Sequence, residues 1–266
     1  MHKPHRKSKW SVSISCLGLF PFLALPTEVS AGVQDINQTI ARAQRILDEL
    51  DSLLDRILAR QTGGDRSADA AIGSDGWTSL FDGRSLSGWK VTEFAGGGDV
   101  DVDRGFRGGP PAIVVKPGVM LSGFNYTREV PKTNFEISLE TMKIEGNDFI
   151  CGLTFPVGDS HASLILGGWG GGVVGISSID DRDASENETT KFMAFPKERW
   201  YNVRMRVTPA KLEAWLDDKK IVDQEVANRK ISLRRGEISR SIPLGISTFQ
   251  TSAAFRAIKL RRLDTK

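Results

Sequence analysis

Several residues in this chain have the type and spacing that proton chemistry needs: the carboxylates Glu140, Asp148, Glu213 and Asp217, the imidazole of His161, and the guanidinium groups of Arg204 and Arg206. A positioned carboxylate or neutral imidazole can take a proton from a reacting carbon and return it later, which is general acid–base catalysis. An arginine beside it offers fixed N–H donors to the negative charge that develops. Trp169 and Trp215 add flat apolar faces against which a ring can lie. Arg204 and Arg206 are two apart, as are Glu213, Trp215 and Asp217, so in an extended chain each set shares one face. Alternating charges of this kind also describe an ordinary solvated sheet surface, and that reading stands beside the chemical one.

Other combinations are narrowed by counting. The chain has three histidines, and two of them, His2 and His5, lie in an N-terminal segment expected to be removed. His161 is then alone, which excludes a multi-histidine zinc or iron site within one chain and allows a Ser-His-Asp arrangement only around that residue. A single histidine in a Ser- and Gly-rich strand also reads as structural. Gly170, Gly172 and Gly175 spell G-x-G-x-x-G, but Ile176 to Ile179 continue as strand, whereas a dinucleotide fingerprint must open a helix. Asp99, Asp101 and Asp103 resemble the start of a calcium loop. Gly105 comes one position late, however, and Pro110 stands where the bidentate glutamate belongs. A Ca2+ or other divalent-metal site of another kind is retained there and at Asp180, Asp181 and Asp183. Asn37, Asn125 and Asn187 sit in glycosylation sequons.

The elements that must position these residues are strands. Phe135, Ile137 and Leu139 alternate with Glu136, Ser138 and Glu140. Tyr201, Val203, Met205 and Val207 alternate with Asn202, Arg204 and Arg206, and Leu212, Ala214 and Leu216 with Glu213, Trp215 and Asp217. Each is a half-buried strand with one polar face, and their close spacing predicts an all-β antiparallel two-sheet sandwich over residues 75–266. The domain opens at Gly76-Trp77-Thr78-Ser79-Leu80-Phe81-Asp82-Gly83, where Asp-Gly supplies the positive φ of a tight turn. No second long amphipathic segment occurs, which disfavours an α/β architecture.

Residues 1–31 read as a signal peptide: Lys3, Arg6, Lys7 and Lys9 precede the apolar run Trp10 to Leu25, and Val29-Ser30-Ala31 fits a cleavage site. Cleavage near Ala31 implies a secreted or periplasmic protein, with no membrane span because the run is short and interrupted. Those four cations and Glu28 account for the whole formal charge of +3, so the mature chain is close to neutral and no nucleic-acid partner is expected. Cys16 leaves with the peptide, and Cys151 then has no partner for an intramolecular disulfide. Residues 33–60 carry Ile36, Ile40, Ala43, Leu47, Leu50, Leu54 and Ile57 at spacings of four and three. They predict one amphipathic N-terminal α-helix, either docked on its own domain or bundling three or more copies into a coiled-coil homo-oligomer. Residues 61–74 form a linker.

From the Phe81-Asp82-Gly83 turn onward, the order of motifs resembles the 3-keto-disaccharide hydrolases, also described as 3-keto-glucoside 1,2-lyases and 3-keto-2-hydroxyglucal hydratases. The carriers are Gly146-Asn147-Asp148-Phe149-Ile150-Cys151-Gly152, Trp200-Tyr201-Asn202-Val203-Arg204, Glu213-Ala214-Trp215-Leu216-Asp217, and Gly245-Ile246 followed by Phe255-Arg256-Ala257-Ile258-Lys259-Leu260. The resemblance implies a concanavalin A-like jelly roll that binds a saccharide and cleaves glycosidic bonds by hydrolase or lyase chemistry. A base would abstract the C2 proton acidified by a C3 ketone, the C1 oxygen would leave, and water would add. On that reading Glu140, Asp148, His161, Glu213 and Asp217 are candidate bases, Arg204 stabilises charge, and Trp169, Arg206 and Trp215 bind the sugar. The chain departs from the family where His161 to Trp169 replaces a strand with cleft carboxylates, which keeps open a non-catalytic lectin-like module or a structural envelope protein.

Overall fold

The computed structural model describes residues 76–264. The predicted signal segment, helix and linker lie outside the described residues. In chain order the strands are β1 (Thr78–Ser79), β2 (Trp89–Val91), β3 (Val100–Asp103), β4 (Ala112–Val115) and β5 (Leu121–Tyr126). There follow β6 (Phe135–Glu145), β7 (Cys151–Val157), β8 (Ser160–Gly167), β9 (Val173–Ser177) and β10 (Lys191–Phe192). The last five are β11 (Trp200–Val207), β12 (Lys211–Leu216), β13 (Lys219–Glu225), β14 (Gly245–Phe249) and β15 (Ser252–Arg262).

They form two antiparallel sheets. Sheet one runs β13-β12-β11-β6-β15-β4-β3, with β1 also on β15; sheet two runs β10-β9-β8-β7-β14-β5-β2. The alternation read from sequence sets the inner faces: Phe135, Ile137 and Leu139, Val203 and Met205, and Leu212 and Ala214 are all buried against Leu153, Phe155, Leu164 and Ile246 from sheet two. Removing this apolar area from water is the main stabilising term. No helix among the described residues is long and apolar enough to cross a membrane.

The Asp82-Gly83 turn carries the chain from one sheet to the other instead of closing a hairpin, since β1 pairs β15 whereas β2 pairs β5. Asp82 Oδ1 accepts the N–H groups of Arg84 and Ser85 at 2.8 Å each, Gly83 takes φ +74°, and Trp89 Nε1 donates to the Leu80 carbonyl at 2.6 Å. This side-chain turn lets Leu80 and Trp89 enter the core from opposite sides of the corner.

Two irregularities set which side chains face outward on sheet one. In β15, Arg256 pairs with Glu140 and Lys259 with Ser138, so one more residue lies between the partners on β15 than on β6. Ala257, at φ +51°, is the extra one, and this bulge puts both Arg256 and Arg261 on the outer face although they are an odd number of positions apart. A second shift between Ala214 and Trp215 buries both Ile221 and Val222 and leaves Lys220 and Asp223 outside.

The sequons at Asn125 and Asn187 are buried. Asn125 Nδ2 donates to the carbonyls of Arg240 and Ile242, and Asn187 Nδ2 to those of Ile176, Arg182 and Asp183. Cys151 is buried and its thiol is pushed up to about 12, which makes it inert.

Candidate active site

Most predicted residues meet on the outer face of sheet one, in ranks that the strand register defines. One rank is Glu213–Arg206–Glu136–Arg261 across β12, β11, β6 and β15. At its centre Glu136, expected on a half-exposed polar face, is fully buried. Arg204 Nη1 reaches its Oε1 at 2.9 Å, Arg206 Nε the same oxygen at 2.6 Å, and Arg261 Nε its Oε2 at 2.6 Å. Burial pushes the Glu136 carboxyl up, but the hydrogen bonds and charges of Arg206 and Arg261 outweigh it and hold the group below the ordinary glutamate range. Sequence reasoning missed Glu136 as a centre because its partners come from two other strands.

The predicted carboxylates are engaged in the same way. Glu140 accepts Arg256 Nε at 2.6 Å, and Glu213 accepts Lys220 Nζ at 2.6 Å with Arg206 at 3.6 Å. Asp217, expected as the last outward residue of a strand, instead begins the turn after β12 at φ +52°, because β12 ends at Leu216. Its oxygens take the Asn202 N–H at 3.0 Å and Arg199 Nη2 at 2.8 Å. Asp148 accepts the N–H of Phe149 at 2.8 Å and that of Gly170 at 2.9 Å, so it ties down the short helical turn Gly168–Gly171. Trp169 sits in that turn at φ +51°, exposed, with the Arg234 guanidinium 5.6 Å from its ring. The Trp215 ring has Arg204 stacked at 3.7 Å, Arg206 at 5.2 Å and Lys220 at 5.1 Å.

His161 lies elsewhere, on the outer face of sheet two. There the rank Asn125–Gly245–Thr154–Ser163–Ser177 crosses five strands with small neutral side chains, and Thr154 Oγ1 and Ser163 Oγ share a hydrogen bond of 2.8 Å. Residues 227–244 form a strap across this face. It is bonded to Ser178 through Ser232 near β9 and to Asn125 through the Arg240 and Ile242 carbonyls on β5. Where the strap leaves the sheet, a cleft of about 560 Å³ opens, with Pro156, its cross-strand partner His161, and Pro243 as rigid walls.

Charge enters this cleft from loops. Lys132 Nζ binds Asp159 at 2.7 Å, and Glu129 and Arg262 complete the rim. Half-buried His161 is held below its ordinary value, first by desolvation and second by the Lys132 charge. Its imidazole is therefore neutral at pH 7, the state a base requires. Lys132 and Glu129 escaped sequence reasoning because loop residues carry no periodicity, and Arg262 because it is the last residue of β15.

The aspartates suggested for a metal are paired otherwise. Asp99 binds Lys116 at 3.0 Å, Asp103 accepts the Gly105 N–H, Asp180 accepts Arg229 Nε at 2.7 Å, and Asp181 accepts Lys230 Nζ at 2.8 Å. Asp183 accepts the Ser177 hydroxyl. Among the described residues no group of three or more His, Cys, Asp or Glu side chains is placed to hold a metal ion.

A search of curated proteins finds no match. Among solved structures, the chain is similar to the apo Crh5 transglycosylase, with TM-score 0.48 and 10% identity over 74% of this chain and 86% of that one. It is also similar to the carbohydrate binding module CBM66 from Bacillus subtilis, with TM-score 0.44 and 11% identity over 65% of this chain and 95% of that one. A third is domain 4 of AbnA, a GH43 extracellular arabinanase from Geobacillus stearothermophilus, in complex with arabinotriose, with TM-score 0.41 and 12% identity over 67% and 84%. The family described as the 3-keto-alpha-glucoside-1,2-lyase-like domain matches residues 76–261, most of the chain, and the protein belongs to that carbohydrate-active family.

Proposed function

We propose that the protein cleaves the glycosidic bond of 3-keto-glucosides, with His161 as the base. The observation that supports this is the cleft itself: His161 is the predicted base that lines it, half-buried and held neutral, while Glu140, Asp148, Glu213 and Asp217 are each engaged by cations or backbone N–H groups. The C2–H bond, acidified by the C3 ketone, gives its proton to the imidazole. Arg262 and Lys132, the latter shared with Asp159, line the same cleft and are the cations available to stabilise the enolate oxygen. The electron pair then expels the C1 oxygen, which leaves with the proton returned by the His161 imidazolium, and water adds across the resulting C1–C2 double bond.

A lectin-like module is the second reading, favoured by the saturation of those carboxylates and by the small, neutral floor of sheet two. In both readings we propose export after cleavage near Ala31 and self-association through residues 33–60.

The deciding experiment is His161→Gln assayed on a 3-keto-glucoside through the ultraviolet absorbance of the enone. Loss of a positioned base lowers turnover about 100- to 10,000-fold with circular dichroism unchanged. Full turnover in the variant removes His161 from the chemistry, and binding without turnover in the parent leaves the module reading.

A further inference from the structure

The outer face of sheet one carries an uneven distribution of charge. Its first three outward β6 positions are Glu136, Ser138 and Glu140. The first and third supply carboxylates to the arginines beside them. The Ser138 rank does not: it reads Lys220–Trp215–Arg204–Ser138–Lys259–Ser79 across the sheet, three cations and no acid. The neighbouring rank Asp223–Glu213–Arg206–Glu136–Arg261 and the pair Glu140–Arg256 bring the tally to six cations against four carboxylates.

Lys220 leans away onto Glu213 and Asp223, so the surplus falls at Arg204 and Lys259, on either side of Ser138. Among the described residues Glu136 engages only Nη1 of Arg204, and a guanidinium has five N–H donors. The guanidinium plane is fixed by its stacking on Trp215 at 3.7 Å and by its bond to buried Glu136, so its remaining donors are pre-organised. Lys259 is exposed, and the two cations lie two strands apart, about 9.6 Å between backbones. A carboxylate seated over the Ser138 hydroxyl therefore gives this rank the cation–carboxylate–cation order that Arg206–Glu136–Arg261 shows in the next.

We propose that this rank binds a uronate-bearing polysaccharide. The sugar carboxylate sits between Arg204 and Lys259, and the ring hydroxyls meet Ser138 and exposed Asn202 one rank away. The choice of a saccharide over other carboxylates rests on the carbohydrate-active family reading; the charge argument does not. The site is on the opposite sheet from the His161 cleft.

The test is isothermal titration of the full chain with oligogalacturonate, dextran and poly-glutamate. The parent binds oligogalacturonate with an affinity that falls as salt rises, and binds neither of the others. Ser138→Glu supplies the carboxylate internally, so it abolishes that binding while the thermal midpoint stays equal or rises, a pairing that misfolding does not produce. Lys259→Gln, at an exposed position, weakens binding about tenfold, the loss of one charge-assisted contact. Undiminished binding by a folded Ser138→Glu protein overturns the site, and equal binding of poly-glutamate overturns the saccharide assignment. His161→Gln retains full oligogalacturonate binding whatever it does to turnover, so failure of either reading leaves the other testable.

Discussion

On sheet one the outward positions of four adjacent strands hold Glu213, Arg206, Glu136 and Arg261, while on sheet two the corresponding rank holds Asn125, Gly245, Thr154, Ser163 and Ser177. Both ranks contain buried polar groups, but they satisfy them differently. The first rank is satisfied by charge, with guanidinium groups about one-third exposed closing over one carboxylate. In the second rank Thr154 and Ser163 bond each other and Asn125 bonds strap carbonyls, and the one ion engaged is Asp183, which accepts the Ser177 hydroxyl at the end of the rank. A conspicuous array of charges can therefore be satisfied within itself, and the base proposed above lies on the other sheet. On the charged sheet each predicted carboxylate has its cation, whereas the neutral sheet leaves one imbalance, the imidazole at the edge of its strap.

The comparison breaks most visibly at Glu136. Glu136→Gln leaves three guanidinium groups around an uncharged amide, and urea denaturation should show a loss of about 3 kcal/mol, the low end of the range for a buried pair because the arginines remain partly in water. Turnover of a 3-keto-glucoside per folded molecule stays unchanged, since the cleft lies on the other sheet; a large loss of turnover would mean that the two faces are coupled.

A smaller effect is expected at Gly245, where a Cβ would lie 2.4 Å from the Ser241 carbonyl oxygen and 2.8 Å from its Cβ. Gly245→Ala should cost about 1–3 kcal/mol through this overpacking. It should also raise amide exchange along the strap at Arg240 and Ile242, which Asn125 anchors. A strap with unchanged protection argues that it does not rest on sheet two.

The smallest effect, and the sharpest, is in pH. Because desolvation and Lys132 depress the His161 pKa, the neutral base persists at pH 7 and is lost only as pH falls through a value below the usual one near 6.5. The rate constant kcat/KM should be flat through neutrality and decline about tenfold per pH unit on the acid side. Lys132→Gln removes the repulsive charge and shifts that limb to higher pH. A limb that does not move excludes Lys132 as a neighbour of the titrating group.

Much of the fold was legible, and for a local reason. The inward residues of β6, β11 and β12 are set by alternation over a few positions, and alternation survives folding when one face is buried. His161 was legible by elimination, as the histidine left after the N-terminal segment. The reading failed where information is non-local. Glu136 looks like any outward glutamate until Arg204, Arg206 and Arg261 arrive from two other strands. The cleft is equally hidden, because the loop carrying Glu129 and Lys132, Pro243 and Arg262 are three separate segments joined only by topology. Asp217 was misplaced by one residue, since a turn at φ +52° gives no apolar signal.

Ala257 has a consequence for how the chain tolerates changes of length. As the unpaired residue of its bulge it contributes nothing to the in-and-out frame of β15, which continues on either side of it. Deleting it would regularise the strand and leave Lys259 and Arg261 looking outward as before. Deleting Lys259 instead would turn the remainder of the strand over, sending Arg261 towards Ile137 and the core and carrying Leu260 out to water. Chain length on this strand is therefore adjustable at one joint and fixed on both sides of it.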